Sequence, residues 1–242
     1  MNDTELARTI AEHAGRLLVD LRASGLLTGK PLGQLGDELA NRFILESLRT
    51  HRPNDALLSE EEKDNAARLS ASRVWIIDPL DGTREYGEGR ADWAVHVALA
   101  IDGVATVGAV SLPGLPLTLA SNDTLARPRH SGKPRLVVSR TRPAAEATAV
   151  ADALGAELLP MGSAGAKIMA VVRGEADVYV HSGGQYEWDS CAPVAVAQAA
   201  GLHASHLDGS PLRYNQANTY MPDLLVCVPE LAVRVLALVT PK

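Results

Sequence analysis

Two aspartates, Asp78 and Asp81, stand three apart in the stretch VWIIDPLDGTREY, Val74 to Tyr86. Carboxylates held that close repel each other unless one takes a proton or a cation sits between them. Oxygen donors with no His or Cys beside them favour Mg²⁺ over zinc. Gly82 and Thr83 follow where a helix or turn should begin, and exposed backbone N–H groups there suit a phosphate. The segment thus carries the parts of a metal and phosphate site. The same residues, D-P-x-D-G-T, also make a good solvated turn. Other acids bear on the choice. Glu60, Glu61 and Glu62 follow an apolar run in LLSEEEKD, Asp189 opens a helical pattern in YEWDSCAP, and Asp37 stands at a helix start in QLGDELAN. Taken singly, Asp37 and Asp189 read as helix caps and the triple Glu as a solvated face.

Elements that could position these groups are legible. An amphipathic helix is expected over 3–24, then a Gly-rich break, LTGKPLGQLGD, and a second helix over 37–50. Strands are expected at Ala56–Leu58 and Val74–Ile77, the latter ending at Pro79, which lacks an N–H and resists a central strand position. The strand then aims Asp78, and a turn brings Asp81 back beside it. Trp93–Ile101 and Val104–Val110 flank Asp102-Gly103, a hairpin signal, and Leu117–Ala120 adds a strand. Residues 121–134 turn polar, with Pro128, Gly132 and Pro134. This break divides an α+β subdomain, 1–130, holding most of the candidate metal ligands, from an α/β subdomain, 131–242, holding Asp189. Beyond it, strands at Leu136–Ser139, Glu157–Leu159, Ala176–His181, Leu202–His206 and Leu224–Cys227 alternate with helices at Ala144–Leu154, Ser163–Val172, Ser190–Ala200 and Glu230–Leu238.

Bulk properties narrow the function. The chain has 242 residues, 46% hydrophobic and 21% charged, an ordinary globular composition. The net charge of −6 argues against a nucleic-acid polymer as partner. Without a long apolar run or a secretory leader, no membrane association is expected, and two cysteines suit a reducing cytoplasm. There is no G-x-x-x-x-G-K-[ST] phosphate loop and no G-x-S-x-G nucleophile elbow. His203 and His206 lack partners at zinc spacing, and His96 falls inside an alternating strand pattern that reads as core.

Together Glu60-Glu61, Asp78-Pro79-Leu80-Asp81-Gly82-Thr83 and Trp188-Asp189 resemble the signature of the inositol monophosphatase superfamily, in the family's order and over nearly the whole chain. The resemblance implies a layered αβαβα sandwich and a Mg²⁺-dependent, lithium-inhibited phosphatase using two or three ions. Within it, Arg84-Glu85-Tyr86 after Asp81-Gly82-Thr83 resembles the CysQ-type branch, which acts on 3′-phosphoadenosine 5′-phosphate. Tyr86 stands where Phe is usual, and the chain is short for the family. Carried over residue by residue, Glu60, Asp78, Asp81 and Asp189 are implied as side-chain metal ligands, with the carbonyl of Leu80. Asp37 and Thr83 are implied as the pair that takes a proton from the attacking water, with Glu60 counted beside them as catalytic. Gly82 and Thr83 are implied to hold the scissile phosphate, and Gly162 and Ser163 the sugar end of the substrate. Arg84 is a candidate for a second phosphate or for a salt bridge to Glu85. The implied partner is a small anionic nucleotide, met by a monomer or homodimer. Inositol-1-phosphate or fructose-1,6-bisphosphate hydrolysis stays open, as does a non-catalytic nucleotide- or metal-binding regulator.

Overall fold

The computed structural model describes residues 1–239, so the last three positions of the 131–242 unit lie outside the described residues. Helix α1 (Asp3–Ala23) begins at a capping box, Asn2 and Glu5 each satisfying the other's backbone N–H. Helix α2 (Gly29–His51) starts eight residues before the expected helix. The Gly-rich stretch is therefore helical. Two of its glycines serve close packing: a Cβ on Gly33 would meet Thr83 Cγ2 at 2.7 Å, and one on Gly36 would meet Leu18 and Tyr86 at 3.0 Å. Pro31 is tolerated because it lies in the first turn, where N–H groups have no helical partner.

Strand β1 (Ala56–Ser59) runs parallel to β2 (Arg73–Asp81). A short 3₁₀ turn, Ala66–Ser70, stands between them. The rest of the first sheet is antiparallel: β3 (Ala94–Ile101), β4 (Val104–Leu112) and β5 (Leu117–Ala120), in the order β1-β2-β3-β4-β5. Asp102 and Gly103 both take positive φ, 49° and 77°, as a two-residue hairpin needs. Strand β2 does not end at Pro79. It continues to Asp81 through a register shift: Asp78 faces His96 and Asp81 faces Ala94. Three residues on β2 thus span two on β3. The bulge absorbs the proline and turns both aspartates to the same end of the sheet.

Residues 121–134 carry no helix or strand and lead to the second sheet. Its members are β6 (Arg135–Ser139), β7 (Glu157–Met161), β8 (Val178–Tyr186), β9 (His203–Ser205) and β10 (Tyr220–Cys227), in the order β7-β6-β8-β10-β9. Helices α5 (Ala164–Val172) and α6 (Glu187–Ala199) lie between the sheets, each touching strands of both. Helices α1 and α2 cover the outer face of the first sheet, and α4 (Ala145–Leu154) with α7 (Pro229–Val239) covers the second. A five-residue helix, α3 (Thr83–Gly87), follows β2. The architecture is the layered αβαβα sandwich. One apolar cluster runs from Leu58 and Ile76 in the first sheet through Val194 of α6 to Leu225 of β10, so the two sheets share a core.

The first sheet and α6 approach closely at Gly108 on β4. A Cβ there would sit 2.4 Å from the carbonyl oxygen of Ala192 and 2.8 Å from the Cβ of Ala195, both on α6. Gly108→Ala should overpack this seam at a cost of about 1–3 kcal/mol. Differential scanning calorimetry should show Tm lowered by ~2–4 °C per kcal/mol. A variant melting with the wild type would contradict this packing.

Candidate active site

The bulge on β2 and the N-termini of α5 and α6 converge on one point. Oxygens of Asp78, Asp81 and Asp189 all lie within 4.8 Å of one another. Asp78 is buried, and its Oδ1 accepts the N–H of Leu80. Asp81 is held from the opposite layer: its Oδ2 accepts Ser163 Oγ at 2.5 Å and the N–H of Gly165 at 2.6 Å, and its Oδ1 accepts the N–H of Ala164 at 3.1 Å. The first turn of α5 thus neutralises Asp81 with its unpaired N–H groups. Helix α6 starts three residues earlier than expected. Asp189 therefore sits inside its first turn, reaching back to the N–H of Tyr186 at 2.7 Å. The capping reading and the metal reading of Asp189 are compatible, because an ionised carboxylate has about four acceptor sites.

Asp37 is no helix cap. It is mid-α2 and buried, its Oδ2 3.0 Å from Thr83 Oγ1. That hydroxyl also lies 3.1 Å from the carbonyl oxygen of Leu80. One proton serves only one of these acceptors at a time, and Asp37 Oδ1 is left without a partner. Glu60 follows β1 and is exposed, outside the group of three acids. Gly82 takes a left-handed conformation, φ 91°, and a Cβ there would press on Asp92 O and Ser163 Cβ at 3.3 Å. The N–H of Gly162 donates to Asp92. Ser163 turns its hydroxyl to Asp81 and adopts φ 53°, a strained value for a residue with a Cβ.

The charges do not share one fate. Burial pushes Asp37 up to about 7, against the Thr83 hydrogen bond and reinforced by Glu61 and Asp81. Glu60 is exposed as a residue, but its carboxyl group is crowded by protein, and that desolvation with the fields of Asp189, Asp37 and Glu61 pushes it up to about 8. Burial, then Glu60 and Asp81, raise Asp78 well above the usual range, and burial with Asp81 raises Asp189 to about 7. Asp81 goes the other way, to about 2: burial opposes its charge, but His96, Ser163 and Lys167 outweigh it. A cluster of crowded, solvent-poor carboxylates at the bulge fits a hard divalent cation, which would offset their repulsion.

His96, read from the sequence as core, is indeed buried, but its contact with the acids was not legible. The ring is fully buried, its Nδ1 3.1 Å from the Trp188 carbonyl and its Nε2 3.3 Å from Asp81 Oδ2, without hydrogen-bond alignment. Gly165 leaves it room: a Cβ there would fall 2.0 Å from Nε2. Nothing in the alternation of β3 marks this histidine, because its partners come from β2, α5 and α6. The choice left open for Arg84 resolves away from Glu85, which pairs with Arg140 instead. Among the described residues Arg84 has no ion-pair partner. It lines a cleft of about 230 Å³ together with Arg142, Lys167, His181, Asp81 and Asp189. Burial lowers the pKa of Lys167, whose Nζ donates to the carbonyls of Gly162 and Ser163.

The inositol monophosphatase family profile matches residues 32–239. The chain belongs to the inositol monophosphatase family. It is 49% identical to the 3′-phosphoadenosine 5′-phosphate phosphatase of Mycobacterium leprae over 247 aligned positions, covering 96% of this chain and 91% of that protein. It is 50% identical to the same-named protein of Mycobacterium bovis, covering 90% and 86%. Among solved structures, CysQ of Bacteroides thetaiotaomicron, described as a bacterial member of this family, superposes with a TM-score of 0.83 at 25% identity over 93% of this chain and 97% of that one. The family is metal-dependent, in keeping with the acidic triad. Among the described residues no helix is long and apolar enough to cross a membrane.

The raised carboxylates set a pH dependence for the metal-free protein. Where a native pKa lies above the unfolded value, the native state holds the extra proton, and stability falls as pH rises from the unfolded to the folded pKa. For Asp37 and Asp189 that window runs from about 4 to about 7, and for Glu60 to about 8. Asp81 contributes in the opposite sense, and only below pH ~4. In chelator, Tm should therefore decline between about pH 5 and pH 8, and a divalent cation at the upper end should restore it. A flat profile that ignores the cation would refute this electrostatic picture.

Proposed function

We propose that this chain is a Mg²⁺-dependent phosphomonoesterase that removes the 3′-phosphate of 3′-phosphoadenosine 5′-phosphate, and of its 5′-phosphosulfate analogue, in sulfur assimilation. The observation that carries the reading is a cleft lined by both signs of charge. Asp81 of the β2 bulge and Asp189 of α6 line one small cavity together with Arg84, Arg142 and Lys167. A monophosphate of a neutral polyol needs only the acidic side. A bisphosphate also uses the basic side, and the mycobacterial relatives carry that substrate in their names.

Glu60, Asp78, Asp81, Asp189 and the Leu80 carbonyl would hold the ions. When bound, Mg²⁺ supplies Lewis-acid polarisation and cancels phosphate charge. The protein's own part is positioning and proton transfer. Asp37, raised toward neutrality and hydrogen-bonded to Thr83, is suited to take a proton through the threonine hydroxyl from attacking water. Gly82, free of a side chain, lets backbone N–H groups approach the phosphate. Gly162 and Ser163 form the wall on the sugar side, held by Asp92 and Lys167. Attack in line, with no covalent phosphoenzyme, accounts for the reaction with these groups. The unpaired, buried Cys191 and Cys227 support a reducing, cytoplasmic setting.

Phosphate release with Mg²⁺ should be far faster from the adenosine bisphosphate than from inositol-1-phosphate or fructose-1,6-bisphosphate. Equal or reversed preference would overturn the substrate assignment, and binding without turnover of any of them would favour the regulator reading. Lithium at tens of millimolar (an order-of-magnitude choice for about that weak a hard-cation site) should slow release.

Asp78→Asn should cut turnover by at least about 10²-fold, the scale of losing one electrostatic contact in a dry site. It should leave Tm in chelator equal or higher, since it removes a charge the metal-free fold disfavours. Wild-type turnover in this variant would exclude Asp78 as a ligand.

A further inference from the structure

The proposed metal ligands come from two layers; Asp81 is tied across them directly by the first turn of α5, and a second link, between the Glu60 loop and the helix of Asp189, runs through residues that are not ligands. Arg68, from the 3₁₀ turn, is buried. Its guanidinium forks onto Asp64, at 2.7 and 3.0 Å, four residues beyond Glu60. Its Nη1 donates to Asn215 Oδ1 at 2.7 Å and its Nη2 to the Gln216 carbonyl at 3.0 Å, while Asn215 Nδ2 donates back to the Arg68 carbonyl. Asn215 takes φ 59°, a left-handed value. That conformation aims two successive N–H groups at one carboxylate: Asn215 N and Gln216 N donate to Glu187 Oε2 and Oε1 at 2.6 and 2.7 Å. Glu187 is buried and is the first residue of α6, two before Asp189. An unbroken chain of charge-assisted hydrogen bonds therefore runs from the Glu60 loop to the helix of Asp189, through a segment separate from both.

We infer that Arg68, Asn215 and Glu187 are positioning residues that set the separation of the Glu60 loop from Asp189. This rests on the reading of Glu60 and Asp189 as metal ligands. The loop 60–65 is acidic and lies beside a cluster that repels it, so it needs an anchor that does not itself occupy the site. Arg49 pairs with Glu62 on one side of this loop, and Arg68 with Asp64 on the other. The anchor on Arg68 alone continues into α6. Partners that orient a ligand in this way typically contribute about 10–100-fold to metal affinity.

Mn²⁺ binding to the full chain, followed by electron paramagnetic resonance of the free ion, tests the inference directly. Arg68→Met and Asn215→Gly should each weaken Mn²⁺ binding about tenfold or more. Turnover at saturating Mg²⁺ should move back toward wild type, because the ligands are intact. Glycine accepts φ 59° without strain, so Asn215→Gly removes the side-chain link and spares the backbone. Arg68→Met combined with Glu187→Gln should bind no more than about twofold more weakly than the worse single variant, since both cut one link. Folded variants with wild-type Mn²⁺ affinity would overturn the inference while leaving the metal reading intact. A wild-type chain that binds no Mn²⁺ would overturn the metal reading and the inference with it. An Asn215→Gly chain that fails to fold by circular dichroism would also overturn it, since the link would then be a support of the whole fold.

Discussion

Like charges brought together against their repulsion are the constraint around which this molecule is built. Asp78, Asp81 and Asp189 come from two elements in different layers, and burial makes their ionised forms costly. Three features hold them there. The bulge in β2 turns two carboxylates to one end of the sheet. The first turn of α5 gives Asp81 three donors. The first turn of α6 ties Asp189 to Tyr186. The layer of α5 and α6 between the sheets is thus both core and site. Its apolar sides bury Ile168 and Val194 between the sheets, and its N-termini face the acids.

Asymmetry within the cluster follows from the same arrangement. Asp81 is stabilised as an anion by the protein, while Asp78, Asp189, Glu60 and Asp37 are kept above their ordinary range. Groups whose environments push their pKa values apart divide into those that stay charged and those able to exchange a proton. Asp37, raised toward neutrality, is hydrogen-bonded to the Thr83 hydroxyl at the start of α3. Arg140 is consumed by Glu85 and Glu88, whereas Arg84 and Arg142 line the cleft without an ion-pair partner among the described residues. The basic side of the cleft is thus partly structural and partly open to a ligand.

Several elements were legible before any coordinates. The strands flanking Asp102-Gly103 and the helices over 3–24 and 144–154 match their expected places closely, because local periodicity and turn chemistry govern them. The start of α2 was not legible. Gly29, Gly33 and Gly36 look like a break in a chain read alone, but Gly33 and Gly36 are packing surfaces for Thr83, Leu18 and Tyr86, and Gly29 takes φ 59° at the helix start. The end of β2 was misplaced for a related reason. Proline discourages a strand, but a bulge accommodates it when the neighbouring strand has one residue fewer to offer.

By itself the sequence determined which groups can do chemistry and in what order they occur: the acid pair at Glu60, the D-P-x-D-G-T segment and the late Trp-Asp. Those are properties of residue type and local spacing, which need no partner to be read. Only the tertiary structure decided which of them meet. It put Asp189 beside Asp78 across more than a hundred residues of chain, buried His96 against Asp81, turned the Ser163 hydroxyl onto that carboxylate, and strung Arg68 to Glu187 through Asn215. Each of these depends on distance between layers. No local pattern encodes such a distance, because it is set by how α5 and α6 pack between two sheets.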